Sequence, residues 1–314
     1  RVLRRLEGRV AGGYRTGQRG PGTDLAGLRA YVEGDDARHI DWNVTARLNE
    51  PQLRVFNEDR ELTVWLVLDR SASMAVGVPG RGKHDVLREL AVVLARMFSR
   101  GGNQVGALLY DNGTVRTVPP GSGRRHVLRI AAQLDRAVPG GGPGNGDGGR
   151  WDGAGRRGRG LGTRRGGNGT RRGTTDLAAM LDAVAKLARR RALIIVISDF
   201  IGAGDWERSL LRLGPRHEVV ALRVVDAADD ELPQAGLVVV EDAETGEQLV
   251  IDSGDPLLRA GLRTAVEERD ADLAAGMRRA GVPLHRIDTT ADLATALIEI
   301  VASTGLPARG RRRP

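Results

Sequence analysis

The fold is decided by the stretch Leu62-Thr-Val-Trp-Leu-Val-Leu68, which is followed directly by Asp69-Arg-Ser71-Ala-Ser73. An uninterrupted apolar run of this length is typical of a strand that is buried on both faces of a parallel sheet. A second run of this kind covers residues 192–198 and is followed by Asp199. Because open α/β sheets bind ligands beyond the carboxyl ends of their strands, the polar residues after these two runs are candidates for a binding site.

Helical and strand patterns alternate through the rest of the chain. Apolar residues recur at helical spacing over 84–100, and residues 104–110 and 114–118 predict a strand pair across the turn Asp111-Asn112-Gly113. Further helices are predicted over 124–137, 176–190, 206–213, 256–280 and 291–301, and further strands over 218–225, 237–241, 248–251 and 282–287. This alternation predicts an α/β fold with a doubly wound, mostly parallel sheet.

Composition excludes several classes of site. The chain has 314 residues and no cysteine, so disulfides, thiolate metal sites and a cysteine nucleophile are all excluded. No apolar run reaches the length of about 18 residues that a membrane helix needs. We therefore expect a protein without a membrane span, and a reducing, cytoplasmic compartment fits the lack of cysteine.

The net charge of +8 is concentrated in two segments. Residues 139–173 carry eight Arg, two Asp and 16 Gly in 35 positions, and residues 309–314 carry four Arg. Together these segments contribute +10, which leaves −2 for the remainder of the chain. A Gly-rich segment with few apolar residues cannot bury enough surface to offset its ordering entropy. We therefore interpret 139–173 as a disordered insertion and do not expect the folded body to bind nucleic acid.

These patterns suggest a division of the chain. Residues 1–22 are basic and Gly-rich and predict a loosely held arm, which together with the polar segment up to residue 60 is expected to pack on the core. Residues 61–304 are expected to form the α/β domain, interrupted by 139–173, and residues 305–314 a basic tail.

Five oxygen-bearing side chains are expected to converge at the carboxyl edge of the sheet: Asp69, Ser71, Ser73, Thr175 and Asp199. Thr175 begins the helix after the insertion, and Thr174 is the alternative at that position. Hydroxyls and carboxylates are hard ligands of the kind that Mg²⁺ or Mn²⁺ prefers. The set predicts a divalent-metal site with a coordination position left for a carboxylate of another molecule. Helix capping by the same residue types is the structural alternative.

This arrangement resembles the metal-ion-dependent adhesion site of von Willebrand factor A domains. Asp-x-Ser-x-Ser at a strand end, a Thr before a later helix and an Asp after a later strand all have counterparts here. The resemblance implies a Rossmann-like, three-layer fold. It also implies that Ser71, Ser73 and Thr175 contact the metal, while Asp69 and Asp199 hold its waters and balance charge.

A second resemblance covers about residues 24–303. The stretch Tyr31-Val-Glu-Gly34-Asp35-Asp36-Ala-Arg38-His-Ile40-Asp41-Trp42, then Ala46-Arg47, is similar to the signature of the bacterial domain-of-unknown-function 58 family, as is 242–247. The insertion departs from the family pattern. Members are often encoded beside MoxR-type AAA+ ATPases. The resemblance therefore implies such an ATPase as partner, acting on a client protein by remodelling it or inserting a cofactor.

The acidic segment 34–42 has two interpretations. We favour a structural clasp, in which arginines pair with its carboxylates and an aromatic side chain provides an apolar anchor. The alternative is a second functional surface. The clasp would use the arginines Arg38, Arg47 and Arg54, with Trp42 as the anchor.

Other function classes are less well supported. The five His are scattered without zinc-binding spacing, and Ser71 lies in no nucleophile elbow. The Gly-rich tract has no GK[ST] and is therefore not a phosphate-binding loop. We predict a non-enzymatic, metal-dependent binding protein. The alternatives are an RNA- or polyanion-binding protein acting through its Arg/Gly-rich segments, and a metal-dependent hydrolase.

Overall fold

A computed structural model describes residues 19–33, 35–57, 62–75, 81–111, 113–136, 175–202, 205–232, 235–241 and 247–304. The predicted insertion 139–173, the tail 305–314, the alternative ligand Thr174 and the first 18 residues of the predicted arm lie outside these ranges. The division at residue 60 stays a prediction.

The described residues contain ten strands and eight α-helices. The strands are β1 (Arg19–Ala30), β2 (Gln52–Asn57), β3 (Thr63–Asp69), β4 (Gln104–Asp111), β5 (Thr114–Gly121), β6 (Ala192–Ser198), β7 (Glu218–Val225), β8 (Leu237–Glu241), β9 (Gln248–Asp252) and β10 (Leu284–Asp288). The helices are α1 (Trp42–Leu48), α2 (Lys83–Arg100), α3 (Arg124–Leu134), α4 (Leu177–Leu187), α5 (Trp206–Leu213), α6 (Ala227–Asp230), α7 (Pro256–Arg279) and α8 (Leu293–Thr304).

Six strands form the central sheet in the order β10-β7-β6-β3-β4-β5. All neighbours are parallel except β5, which pairs antiparallel with β4 at one edge. β3 has a strand on each side, with Thr63 in register with both Gln104 and Ala192. The carboxyl ends of β3 and β6, where the sequence predicts the site, are therefore adjacent at the middle of the sheet.

The core has two layers because successive side chains of a strand face opposite sides of the sheet. Val64 and Leu66 of β3 pack in one apolar cluster, which includes residues of α2, α3 and α8. Trp65 and Val67 pack in the other, which includes residues of α4, α5 and α7. The structure confirms the predicted α/β fold, with a mostly parallel sheet flanked by helices.

Two smaller sheets are both antiparallel pairs. β8 and β9, the strands predicted at 237–241 and 248–251, pair with each other. β1 pairs with β2 and begins at Arg19, so residues 19–22 belong to a strand where the sequence analysis expected an arm. Backbone pairing with β2, which polar composition alone does not reveal, explains the difference.

The acidic segment 34–42 forms ion pairs, as the clasp hypothesis expected, but with a different set of partners. Arg54 Nε lies 2.9 Å from Asp41 Oδ2, as proposed. Asp35 instead pairs with Arg29, at 2.6 and 2.7 Å between its two oxygens and the guanidinium. Trp42 is 68% exposed, so its prediction as an apolar anchor is wrong. As the first residue of α1 it follows the N-cap Asp41, and its indole faces solvent.

None of the described helices combines the length and the apolar character needed to cross a membrane.

Candidate functional site

The loop after β3 brings three of the predicted residues together. Asp69 is the last residue of β3 and is fully buried. The backbone N–H of Ser71 donates to Asp69 Oδ1 at 3.0 Å, and this hydrogen bond closes a turn directly after the strand. The hydroxyls of Ser71 and Ser73 lie 3.0 Å apart, and both residues are buried. Two hydroxyls and a carboxylate are thus held together, largely buried, at the end of β3.

Asp69 is held from both sides, and both of its hydrogen-bond donors, the N–H of Ser71 and the hydroxyl of Ser198, are uncharged. Ser198, the last residue of β6, donates its hydroxyl to Asp69 Oδ2 at 2.6 Å. Burial, followed by repulsion from Asp199, raises the pKa of Asp69 to about 6, although hydrogen bonds from Ser198 and Ser71 oppose the shift. A cation beside the two carboxylates would relieve this repulsion.

Thr175 directly precedes Asp176, the N-cap residue of α4, and is fully buried. Its backbone packs against the loop that follows Asp199, because a Cβ added to Gly202 would lie 2.5 Å from the carbonyl oxygen of Thr175. Asp176 then caps α4 through a 2.8 Å bond from the N–H of Ala179. The capping role therefore belongs to Asp176, and Thr175 lies beside the loop that follows Asp199.

Asp199 follows β6 directly and is 1% exposed. Its Oδ1 accepts from the N–H of Ile201 at 3.0 Å. Its Oδ2 accepts from the ammonium of Lys83 at 2.9 Å, and the same ammonium donates to Asp229 Oδ1 at 2.8 Å. The second site carboxylate therefore already has a cationic partner within the chain.

Arg70, between two site residues, turns away from them and anchors the loop. It is 3% exposed, and its guanidinium donates to the carbonyl of Arg136 at 2.7 Å. Its Nε lies 3.4 Å from Asp111 Oδ1 and 3.3 Å from His84 Nε2. Burial lowers the pKa of Arg70, and attraction to Asp111 opposes that change. This buried cluster holds the loop against the end of β4 and the residues after α3.

The donor set fits a hard divalent cation. Among the described residues no group of three or more His, Cys, Asp or Glu is placed to hold a metal, so a cation here would depend on hydroxyl ligands. Ser71 and Ser73 supply a close pair of them, and Asp69 supplies the uncompensated carboxylate. Thr175 and Asp199 lie on the neighbouring loops.

Sequence reasoning missed Lys83, Ser198 and Asp229. For Lys83 the sequence held a signal, because this lysine continues the helical spacing of the apolar residues Val86, Leu87 and Leu90. The structure buries all four on one face of the helix. Ser198 and Asp229 had no such signal.

Comparison with known sequences places the chain in a family. Residues 27–272 match the family described as "Protein of unknown function DUF58". The chain belongs to the DUF58 family. Uncharacterized proteins of Mycobacterium tuberculosis and Mycobacterium bovis are each 35% identical to it over 305 residues, which cover 96% of this chain and 86% of theirs. An uncharacterized Mycobacterium avium protein is 38% identical over 130 residues, or 41% of this chain and 75% of its own.

Two solved structures show distant similarity to this DUF58 chain. The conserved hypothetical protein BatB from Bacteroides thetaiotaomicron aligns with a TM-score of 0.43 and 15% identity, over 78% of this chain and 100% of that one. An aerotolerance-related membrane protein from Bacteroides fragilis aligns with a TM-score of 0.42 and 14% identity, over 77% and 97%.

Proposed function

We propose that this protein is a non-enzymatic adaptor that captures a partner protein through a divalent cation, in the manner of the metal-ion-dependent adhesion site of von Willebrand factor A domains. The observation that supports this most is the buried pair of hydroxyls, Ser71 and Ser73, 3.0 Å apart beside Asp69. Hydroxyls with one nearby uncompensated carboxylate neutralise a divalent cation only in part. A bound Mg²⁺ or Mn²⁺ would therefore supply a coordination position for a partner's carboxylate.

The residues of the proposed site would have different roles. Ser71, Ser73 and Thr175 would bind the cation through oxygen. Asp69, whose two oxygens already accept bonds from Ser71 and Ser198, would balance charge and orient water. A binding role is favoured over hydrolysis because the hydroxyl of Ser71 contacts another hydroxyl, whereas serine nucleophiles need an adjacent base.

The partner we propose is a MoxR-type AAA+ ATPase, with a client protein as the final target. The family resemblance supports this choice. A surface acidic residue of the ATPase would complete the coordination of the cation.

The direct test is thermal unfolding during a Mg²⁺ or Mn²⁺ titration. A ligand that binds only the native state at 100 times its Kd adds roughly 2.7 kcal/mol of stability. We expect a saturable rise in the wild type and none in Asp69→Ala. Asp182→Ala, which removes an exposed partner of Arg212, is the matched acidic control and should respond as the wild type does. An equal rise in all three proteins would contradict the proposal, and so would no rise in any.

A further inference from the structure

Lys83 is the most deeply buried cation next to the candidate site. It is the first residue of α2 and is 1% exposed. Its ammonium joins Asp199, after β6, to Asp229, in the short helix after β7. It therefore connects three separate segments at the carboxyl edge of the sheet.

This position is costly for a lysine. Burial disfavours an ammonium, and the N-terminal end of a helix carries a partial positive charge that repels it. Burial lowers the pKa of Lys83, but attraction to Asp199 and hydrogen bonds with Asp229 and Asp199 outweigh that effect, and the pKa lies above its usual range. The geometry agrees with a charged lysine: the ammonium lies 2.9 Å from Asp199 and 2.8 Å from Asp229, and these two carboxylates stabilise its charge.

The two site carboxylates consequently differ. Both oxygens of Asp199 accept hydrogen bonds, one of them from the cation Lys83. Both oxygens of Asp69 accept too, but from the neutral donors Ser71 and Ser198. The negative charge of Asp199 is thus compensated within the chain, whereas that of Asp69 is not.

We propose that Lys83 is a built-in counter-ion that sets the metal affinity of the site: it keeps Asp199 out of direct coordination and weakens the binding of a divalent cation. This inference rests on the proposed function. With one internal positive charge beside it, the bound cation is less fully neutralised by the protein and stays attractive to a partner's carboxylate. Lys83 is a positioning residue and does not itself contact the partner.

The test is the affinity of the full chain for Mn²⁺ alone, measured by isothermal titration calorimetry. Lys83→Met removes the charge and keeps the length of the side chain. Removing a positive charge next to the site should tighten Mn²⁺ binding by about tenfold or more. Lys83→Arg keeps the charge and should bind Mn²⁺ within about threefold of the wild type.

A second variant covers the case in which Lys83→Met does not fold, since breaking a buried ion pair leaves uncompensated charges. Lys83→Met/Asp229→Asn also neutralises Asp229, one of the two carboxylates that lose their partner when Lys83 is replaced. Asp199 then has no lysine partner, as in Lys83→Met. Circular dichroism checks its fold. It should also bind Mn²⁺ more tightly than the wild type, by a smaller factor.

The outcomes separate the inference from the proposed function. Tighter binding in the folded variants supports the counter-ion role, even if the wild type binds no metal. Unchanged or weaker binding in the folded variants overturns it, and if the wild type still binds Mn²⁺ the proposed function survives. No binding in any of the proteins overturns both.

Discussion

The hydroxyl of Ser198 donates a 2.6 Å hydrogen bond to Asp69 Oδ2, and so joins the last residue of β6 to the last residue of β3. The same hydroxyl accepts from the N–H of Phe200, a residue with a φ of 56°. A non-glycine residue in this left-handed region is strained and needs such local support. Ser198 therefore fixes both the Asp69 carboxylate and the turn after β6, in which Gly202 packs against Thr175.

Replacing Ser198 should weaken the fold around Asp69. Ser198→Ala strands a buried carboxylate oxygen and a backbone N–H, and we expect a loss of about 1–3 kcal/mol in the free energy of unfolding by denaturant. Ser209→Ala is the control, because Ser209 is equally buried but its hydroxyl contacts Arg212. We also expect Ser198→Ala, and not Ser209→Ala, to reduce the affinity for Mn²⁺. Equal stability of Ser198→Ala and the wild type would contradict the anchoring role.

The buried Arg70 cluster should contribute far more to stability than a comparable surface pair. Arg70→Met leaves Asp111 buried with Arg116 as its remaining partner. We expect a loss of about 3 kcal/mol, measured by urea unfolding. Arg88→Met removes a half-exposed pair with Asp135 and should cost less than about 1 kcal/mol. Similar losses of unfolding free energy in the two variants would show that burial does not determine how much these ion pairs stabilise the protein.

Gly202 should tolerate no side chain. A Cβ there would lie 2.5 Å from the carbonyl oxygen of Thr175 and 3.2 Å from its Cβ, so the backbone must move. We expect Gly202→Ala to lower the melting temperature and to reduce the rise that Mn²⁺ produces. Gly261→Ala, within α7 and with nothing inside 4 Å of the added carbon, should be neutral or stabilising by up to about 1 kcal/mol. If Mn²⁺ raises the melting temperature of Gly202→Ala as much as that of the wild type, Thr175 does not take part in binding the cation.

Acid should loosen α7. Asp270 pairs with the buried Arg223 at 2.6 Å, and the helix buries only Leu273, Gly276 and Met277. Burial raises the pKa of Asp270, but the bond from Arg223 and the nearby arginines outweigh it, and the pKa lies below its usual value.

A carboxyl group whose folded pKa is depressed stabilises the fold above its unfolded pKa, and this contribution is lost as pH falls below about 4. We expect the stability of the wild type to fall over that range, and Asp270→Asn to be less stable at neutral pH with a shallower acid decline. Parallel pH profiles for the two proteins would rule out this contribution.

The sequence predicted where in the fold the candidate residues that follow strands would lie, whereas the site itself stays a prediction. The apolar runs of β3 and β6 fixed where Asp69 and Asp199 would lie, because parallel neighbours end at one edge. Of the ion pairs, only Arg54–Asp41 was proposed from the sequence. Those of Lys83 were not predictable, since Lys83 meets Asp229 only after α2 and the end of β7 have packed together. Arg29 likewise reaches Asp35 only once β1 has formed. Exposure of Trp42 was misjudged because an indole in a polar segment suggests an anchor, although nothing in the local pattern required one.

The central position of β3 has a consequence for how a ligand would be received. Its backbone is paired with β4 on one side and β6 on the other, so its end cannot open without disrupting the middle of the sheet. Amides of β3 should accordingly exchange hydrogen only by global unfolding. The groups at its end are preorganised, and a ligand docking there loses little conformational entropy of the protein. Recognition at this edge should therefore resemble lock-and-key association, with a small heat-capacity change.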